Sequence, residues 1–378
     1  MKKIICASTV PNSLDTFCRG MLKELNRKYE VIALSSPGPR MDLLKEREGI
    51  RAIEIPMERH ISLFRDLKSL CAIVRVFKKE KPDMVHSMTP KAGLLCMLAA
   101  WWTKVPVRVH TFTGLVFPTS TGLTRQILIA TDKLTCACAT HIIPEGEGVK
   151  TDLERFNITK KPMKVLGYGN VRGVDMDYYA RTPEVLEIAQ NIIDKEKFTF
   201  LFVGRIVRDK GINELVEAFE RLYHELPFIR VFLVGSYEDK LDPISPKARE
   251  IIESYQDIEA VGRKTGLDLL AYYAAADCFV FPSYREGFPN TVLEAGAMGL
   301  PSIVTDINGS REIIKDEYNG FVIPSHDVDS LYKAMKRIIF DKEKRLEMAS
   351  VSRDHIAKHF EQGFVRQCLF EYYFSILR

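Results

Sequence analysis

The stretch DCFVFPSYREGFPNTVLEAGAMGLPSIVT, residues 277–305, decides the fold. It begins with the apolar, β-prone run DCFVF, passes through a short loop with Gly and Pro, and continues in residues that favour a helix. The next run, PSIVT, is again apolar and β-prone, so the stretch predicts a strand, a loop, a helix and a second, parallel strand. The loop carries Glu286, and the helix predicted to begin near Asn290 carries Glu294 in its first turns.

The same alternation runs along the whole chain. The predicted strands are KIICAS, YEVIALSS, DMVHSM, VRVHTF, HIIP and MKVLGYG in the first half, and FTFLFVG, IRVFLVG, DCFVF, PSIVT and GFVIP in the second. Helical stretches between them predict parallel sheets with helices on both faces. The pattern breaks once, near residue 180, where glycines give way to a polar helical stretch.

We therefore expect an α/β protein with two doubly wound, Rossmann-like parallel-sheet domains that face a cleft. The first covers residues 1–180 and the second residues 181–360, while residues 361–378 form an amphipathic helix expected to pack back across the domain interface. A chain of 378 residues with 46% hydrophobic and 28% charged residues is long enough for two such domains.

Several features predict a cytoplasmic protein. The start, MKKIICASTVPNS, is typical of a first strand and not of a signal peptide. The longest weakly polar run, AGLLCMLAAWWT, has twelve residues, whereas a membrane-spanning helix needs about 20. Eight scattered cysteines without a C-x-x-C pair indicate reduced thiols.

The two halves differ in charge. Residues 1–180 contain 28 Lys and Arg against 18 Asp and Glu, a net charge of +10, and the remainder contains 26 against 32. The basic half is expected to face something anionic. No aromatic–basic platform or recognition motif accompanies the charge, so nucleic acid is not an expected partner.

One segment of the basic half predicts an amphipathic helix. Its basic residues are Arg59, Arg65, Lys68, Arg75, Lys78, Lys79 and Lys81, interleaved with Ile61, Phe64, Leu67, Leu70, Ile73, Val74 and Phe77. A solvated helix face over a buried stripe and contact with an anionic membrane surface both account for this pattern. Peripheral attachment at the inner face of the cell membrane therefore stays open.

A second loop extends the predicted site. The stretch FLFVGRIVRDKGINELVEAF, residues 200–219, places Arg205 and Lys210 on a glycine-flanked loop after a strand. Because ligands of parallel sheets bind beyond the carboxyl ends of the strands, this loop and the Glu286 loop should meet. Two cations and a helix N-terminus suit a phosphate, and carboxylates suit hydroxyls. A nucleotide-sugar satisfies both, with Glu286 on the sugar and Glu294 on the ribose.

These motifs resemble family 4 of the retaining glycosyltransferases, whose fold is known as GT-B. The stretches FVGRIVRDKG, AAADCFVFPSYREGFPNTVLEAGAMGLPSIVT and GSREIIKDEYNGFVI are similar to the family's donor domain, and the two glutamates form its E-x7-E motif. In the first half, SLDTFCRGMLKELNRKYEVIALSSPG, PDMVHSMTPKAGLL, VRVHTFTGLVFP and LGYGNVRGVD resemble the branch that builds bacterial capsule and O-antigen repeat units. The likeness covers nearly the whole chain.

The resemblance implies a role for each site residue. Arg205 and Lys210 would hold the donor diphosphate, Glu294 the ribose, and Glu286, as a catalytic residue, the transferred sugar. The backbone would support sugar and phosphate at Gly287, Phe288, Pro289, Asn290 and Thr291.

The first half departs from the family at one position. Many members carry a histidine where this chain has Thr113, in HTFTG. Thr113 is therefore an expected donor contact, and His110, three residues earlier, is a candidate catalytic residue, although a lone histidine at a strand end is more often structural.

No metal and no cofactor are expected. The acidic pairs in DMD (175–177) and DVD (327–329) have the spacing of a metal-binding motif of another transferase fold, but both lie in a loop or at a helix start. The stretch GYGNVRG does not open a helix, so a nicotinamide site has little support.

The expected function is transfer of a sugar, with retention, from a nucleotide-sugar to a lipid-linked (polyprenyl diphosphate) saccharide. A UDP-sugar is the expected donor, and the identity of the sugar and of the acceptor stays open. Two alternatives remain: a nucleotide-sugar 2-epimerase of the same architecture, and a non-catalytic nucleotide-sugar-binding subunit of a larger synthase.

Overall fold

A computed structural model, which describes residues 1–58, 62–240 and 242–377, divides the chain into two units. The first unit comprises Met1–Gly173 and the segment from Gly363 onward, and the second comprises Val174–Gln362. The prediction of two doubly wound parallel-sheet domains is confirmed, since each unit contains one six-stranded parallel sheet.

The strands of the first sheet lie in the order β3-β2-β1-β4-β5-β6. Their bounds are β1 (Lys3–Ala7), β2 (Glu30–Ser35), β3 (Arg51–Glu54), β4 (Met84–Ser87), β5 (Val107–Phe112) and β6 (His141–Pro144). The helices of this unit are α1 (Pro11–Cys18), α2 (Met21–Leu25), α3 (Pro39–Glu48), α4 (Leu63–Glu80), α5 (Pro90–Trp102), α6 (Gly122–Cys138), α7 (Glu147–Arg155) and, at the end of the chain, α16 (Gln362–Ile376).

The second sheet repeats this topology, in the order β9-β8-β7-β10-β11-β12. Its strands are β7 (Phe198–Val203), β8 (Ile229–Val234), β9 (Ile258–Gly262), β10 (Cys278–Phe281), β11 (Ser302–Thr305) and β12 (Gly320–Ile323). Its helices are α8 (Pro183–Gln190), α9 (Ile212–Tyr223), α10 (Pro246–Ser254), α11 (Gly266–Ala275), α12 (Asn290–Ala297), α13 (Ser310–Ile313), α14 (Val328–Phe340) and α15 (Lys342–Phe360).

The central strands of the second sheet are buried along their whole length. β7 reads FTFLFV and β8 reads IRVFLV, and every residue of both is buried. Apart from Thr199 and Arg230, both strands are apolar, and such runs are typical of parallel strands covered by helices on both faces. The register pairs Phe279 of β10 with Leu201 of β7 on one side and with Ser302 of β11 on the other. β10 therefore lies next to β7, and the loops that follow these two strands emerge side by side.

The C-terminal helix belongs to the first unit, where Leu369, Tyr372 and Tyr373 of α16 join the core that contains Ile4 and Cys6. The sequence predicted a first-domain boundary near residue 180, and the structure divides the chain after Gly173. Within the described ranges, no helix is long and apolar enough to span a bilayer.

The predicted amphipathic helix is α4, Leu63–Glu80. Its buried stripe contains Ser69, Ile73 and Phe77. The predicted positions Arg59 and Ile61 lie outside the described residues.

Candidate functional site

The candidate site lies at the centre of the second sheet, where the strand order reverses between β7 and β10. The loop Gly204–Lys210 follows β7, and the loop Pro282–Pro289 follows β10. In open α/β sheets, ligands bind outside the carboxyl ends of the strands at such a reversal. The two loops that the sequence singled out therefore meet at the place where this topology offers a ligand site.

Lys210 and Glu286 are joined directly. The Lys210 ammonium forms an ion pair with Oε1 of Glu286, and only 14% and 17% of the two side chains are exposed. The same ammonium lies 5.3 Å from the ring centroid of Phe281, the last residue of β10. The two loops thus share one partly buried charge pair, in which the lysine predicted to hold a phosphate is paired with a carboxylate.

A buried serine joins the pair. The Ser283 hydroxyl lies 2.9 Å from Oε1 of Glu286 and is fully buried. Its own carbonyl accepts a hydrogen bond from the Thr305 hydroxyl at the end of β11. The position of Glu286 is thus set by three neighbouring strand ends, those of β7, β10 and β11.

The other cations of the site are held by carboxylates. Arg205 donates to Glu238 at 2.8 Å and keeps 47% of its side chain exposed. Arg285 donates to Asp209 at 2.9 Å, which ties the β10 loop to the β7 loop. The Arg205 guanidinium also interacts electrostatically with Glu286. The partly exposed guanidinium of Arg205 can exchange Glu238 for a phosphate at little cost in free energy, because exposed ion pairs contribute about 0–1 kcal/mol.

Tyr284 anchors the middle of the β10 loop. Its hydroxyl donates to Glu214 in the first turn of α9, at 2.6–2.7 Å from the two carboxylate oxygens. Burial and this hydrogen bond raise the pKa of Tyr284 far above its usual value, so the group remains a hydrogen-bond donor. The centroid of the Tyr284 ring lies 3.7 Å from the centroid of the His326 ring. The loop is therefore anchored two residues before Glu286.

Two glycines allow the close approach of these loops. Gly211 has φ +71°, and a Cβ there would collide with the carbonyl oxygen of Pro282. Gly309 has φ +73°, and its Cβ would lie 2.5 Å from the carbonyl oxygen of Gly287 and 2.6 Å from Cα of Phe288. Only glycine combines this left-handed conformation with the missing side chain.

Glu294 lies in α12, one turn beyond the loop, and is 6% exposed. Its Oε2 accepts a hydrogen bond of 3.2 Å from the hydroxyl of Tyr273, which is fully buried. Phe288 turns its side chain into the core, 5.5 Å from the ring of Phe360. Only the backbone of Phe288 is therefore available to a ligand.

The helix α12 begins without a side-chain cap among the residues that the structure describes. Its first residues, Asn290 and Thr291, are half-buried, and Pro289 precedes them. The N–H groups at the start of a helix carry a partial positive charge and bind anions. The expected backbone contacts from Gly287 to Thr291 are thus gathered in one turn at the reversal point.

The first unit places His110 and Thr113 differently from each other. His110 is 2% exposed, hydrogen-bonded through Nδ1 to Ser87 at 2.9 Å, and so close to Gly93 that a Cβ there would overlap its ring. Burial lowers the pKa of His110 to about 3, so the ring stays neutral. This placement suits the structural role that a lone histidine at a strand end more often has, and the catalytic role of His110 stays a prediction. Thr113 is half-buried and donates to the carbonyl of Met88 at 3.0 Å.

Sequence reasoning missed three residues of the site: Ser283, Tyr273 and Gly309. Ser283 lies two residues after β10 and three before Glu286, so its place in the loop could have identified it from the sequence. Tyr273 and Gly309 approach the site from α11 and from the turn before α13, which only the folded chain reveals.

Comparison with known proteins shows the family to which the chain belongs. Residues 186–355 match the family described as glycosyl transferases group 1, and residues 14–169 match a glycosyl transferase 4-like domain. The capsular polysaccharide biosynthesis glycosyltransferase CapM of Staphylococcus aureus is 31% identical over 100% of this chain and 98% of its own length. The UDP-Gal:alpha-D-GlcNAc-diphosphoundecaprenol alpha-1,3-galactosyltransferase of Escherichia coli is 29% identical over 89% of this chain and 86% of its own.

A solved structure shares the fold. The crystal structure of HepE from Anabaena in complex with UDP superimposes with a TM-score of 0.82 at 18% identity, covering 99% of this chain and 100% of that one. Two Rossmann-like sheets of this kind define the GT-B class of glycosyltransferases. The chain belongs to the group 1 glycosyltransferases, with a 4-like N-terminal domain. The predicted glycosyltransferase is thus confirmed over the epimerase alternative.

Proposed function

We propose that this glycosyltransferase moves a sugar, with retention and without a metal ion, from a UDP-sugar to a saccharide linked to polyprenyl diphosphate. The product would be a repeat unit of a capsule or O-antigen. One observation carries the proposal: Lys210, Arg205, Glu286 and the start of α12 meet at the reversal point of the second sheet. The names of the relatives from S. aureus and E. coli support the acceptor class.

The proposed chemistry uses the fixed charges of the site. Arg205 and Lys210 stabilise the diphosphate as it leaves, which is the main electrostatic contribution when donors are pre-positioned where charge develops. Glu286 faces the transferred sugar, where positive charge builds up as the glycosidic bond breaks. A phosphate oxygen of the leaving group then helps to take the proton from the acceptor hydroxyl. The acceptor attacks on the same face of the sugar that the diphosphate leaves, so the configuration is retained. Both cations lie in the second unit, on the loop that follows β7, which supports a reaction without a divalent ion.

Donor binding can be tested with a panel of UDP- and GDP-sugars in a thermal-shift assay. A good donor at 100 times its dissociation constant should stabilise the protein by about 2.7 kcal/mol. Lys210→Ala should weaken binding of UDP at least about ten-fold, because a charge-assisted contact contributes about 1.5–3 kcal/mol. Lys336→Ala, which removes another ion-paired lysine of the second unit, is the matched control and should bind as the native protein does. Equal UDP affinity in the Lys210 variant would contradict the diphosphate site.

We also propose that α4 brings the first unit to an anionic membrane surface. Its first turns expose large apolar side chains: Leu63 at 80%, Phe64 at 91% and Leu67 at 60%. Its exposed cations are Arg65, Lys68, Arg75, Lys78 and Lys79. The two acids of the helix are less accessible, since Asp66 is half-buried and Glu80 is buried. Apolar anchors beside a basic face suit the interface of an anionic bilayer.

Binding to vesicles tests this proposal. The protein should bind vesicles of phosphatidylcholine and phosphatidylglycerol, and binding should fall with salt, since exposed charges are screened over about 8 Å at physiological ionic strength. Phe64→Ser should weaken it about ten-fold, because inserting a Phe side chain contributes about 1.5–3 kcal/mol. Phe340→Ser, a change at an exposed Phe of the second unit, should have no effect. Equal binding to pure phosphatidylcholine, or equal losses in the two variants, would remove α4 as the contact.

A further inference from the structure

We propose that Ser283 is a positioning residue for transfer, which holds one oxygen of Glu286 so that the other faces the donor sugar. The inference rests on the proposed function, because it gives Glu286 its partner there. Three contacts carry it: Ser283 and Lys210 both reach Oε1 of Glu286, and Thr305 fixes the backbone of Ser283. In the described ranges of the chain, Oε2 of Glu286 accepts no hydrogen bond.

The Ser283 hydroxyl has a choice of acceptors. Its oxygen lies 2.9 Å from Oε1 of Glu286, 3.2 Å from the carbonyl oxygen of Asp209 and 3.3 Å from that of Arg285. A hydroxyl carries a single proton, and hydrogen bonds to an ionised acceptor are shorter and about twice as strong as those to a neutral one. The shortest of the three distances is the one to the carboxylate. The Ser283 hydroxyl therefore donates its hydrogen bond to Oε1 of Glu286.

The burial of Ser283 makes this bond a durable restraint. Ser283 is fully buried, with an exposed fraction of 0%, so water does not compete for its hydroxyl. Lys210, by contrast, has a second task in the proposed reaction, because it must reach the diphosphate. When the donor draws the ammonium toward phosphate, the Ser283 hydroxyl still holds Oε1. The carboxylate then keeps its orientation during the step in which its charge is needed most.

A matched pair of serine variants tests the assignment. Ser283→Ala removes the hydroxyl at the end of β10, and Ser302→Ala removes another fully buried hydroxyl, at the start of β11, whose Oγ has no partner among the described residues. We expect Ser283→Ala to lower kcat about ten-fold, because it removes a charge-assisted bond. Its KM for the donor and its affinity for UDP should stay within about two-fold of native, since the restraint acts on the reacting sugar and not on the nucleotide. Ser302→Ala should leave all three unchanged.

A double-mutant cycle with Glu286→Gln separates positioning from a structural role. If Ser283 acts through Glu286, adding Ser283→Ala to Glu286→Gln should lower kcat by less than about two-fold further. A full ten-fold loss of kcat in the Glu286→Gln background would overturn the proposal. Weaker UDP binding by Ser283→Ala with unchanged kcat would also overturn it, because the Ser283 hydroxyl would then donate to the carbonyl of Asp209 instead. Melting temperatures of both serine variants identify a loss of fold. Failure of the proposed function itself appears earlier, as an absence of transfer from every nucleotide-sugar by the native protein.

Discussion

Glu286→Gln is expected to lower kcat by about 10²-fold or more, which corresponds to about 2.7 kcal/mol of transition-state stabilisation. Glutamine keeps the shape of the side chain but removes the charge that opposes the positive charge growing on the sugar. An interaction that strengthens in the transition state appears in the rate and not in ground-state affinity. Binding of free UDP should be equal or tighter, because Lys210 loses the carboxylate that now competes with phosphate for its ammonium.

Glu294→Gln provides the contrast for this prediction. Glu294 is assigned to the ribose, which does not change during the reaction, so its loss should raise the donor KM and weaken UDP binding with a smaller effect on kcat. Steady-state kinetics on both variants, with UDP titrations, make the comparison. Two coinciding kinetic profiles, or normal turnover by the Glu286 variant, would show that the proposed division between the two glutamates is wrong.

The sequence predicted the central strands of both sheets and the edge strands β6 and β12, and it missed the edge strand at the opposite side of each sheet. The missed strands, β3 and β9, occupy the same edge position in the repeated topology. β3 reads RAIE and none of its residues is buried, while β9 reads IEAVG and buries only Ile258. Edge strands of this kind pair through the backbone on one side and need no continuous apolar run, so their residues give little pattern to recognise.

One predicted strand, MKVLGYG, is wrong. Only Met163 forms a bridge there, with Ile142 of β6. Gly167 and Gly169 adopt φ values of +56° and +95°, which an extended strand cannot contain. The run Val165–Leu166 was apolar enough to suggest a strand, but the glycines that follow turn the chain away from the sheet edge.

At the site, the sequence predicted which loops meet and could not predict how their charges combine. Arg205, Lys210, Glu286 and Glu294 all follow from strand-loop-helix patterns, because parallel topology brings such loops to one edge. Lys210 and Glu286 are 76 residues apart in the chain, and their direct bond depends on β7 and β10 lying next to each other in the sheet. The burial of His110 depends likewise on the contact with Gly93 of α5.

Gly309→Ala is expected to reduce kcat/KM about 10²-fold although Gly309 carries no side chain and touches no reacting group. The new Cβ would stand 2.5–2.7 Å from atoms of Gly287, Phe288 and Pro289, so the loop before α12 must move. Displacing catalytic groups by about 1 Å costs on the order of 10²-fold in rate. The left-handed backbone at φ +73° adds about 1–2 kcal/mol of strain for any L-residue with a Cβ.

Gly299→Ala separates the two effects. Gly299 follows α12 in the same unit, has φ +78°, and a Cβ there would meet nothing within 4 Å. This control should lose about 1–2 kcal/mol of stability from backbone strain alone, while its kcat/KM stays near native. Gly309→Ala should lose a further 1–3 kcal/mol or so from overpacking together with its activity, and both melting curves and kinetics below the melting range are to be measured. If the two variants lose the same activity, strain alone accounts for the result, and the contact of Gly309 with the loop does not position the site.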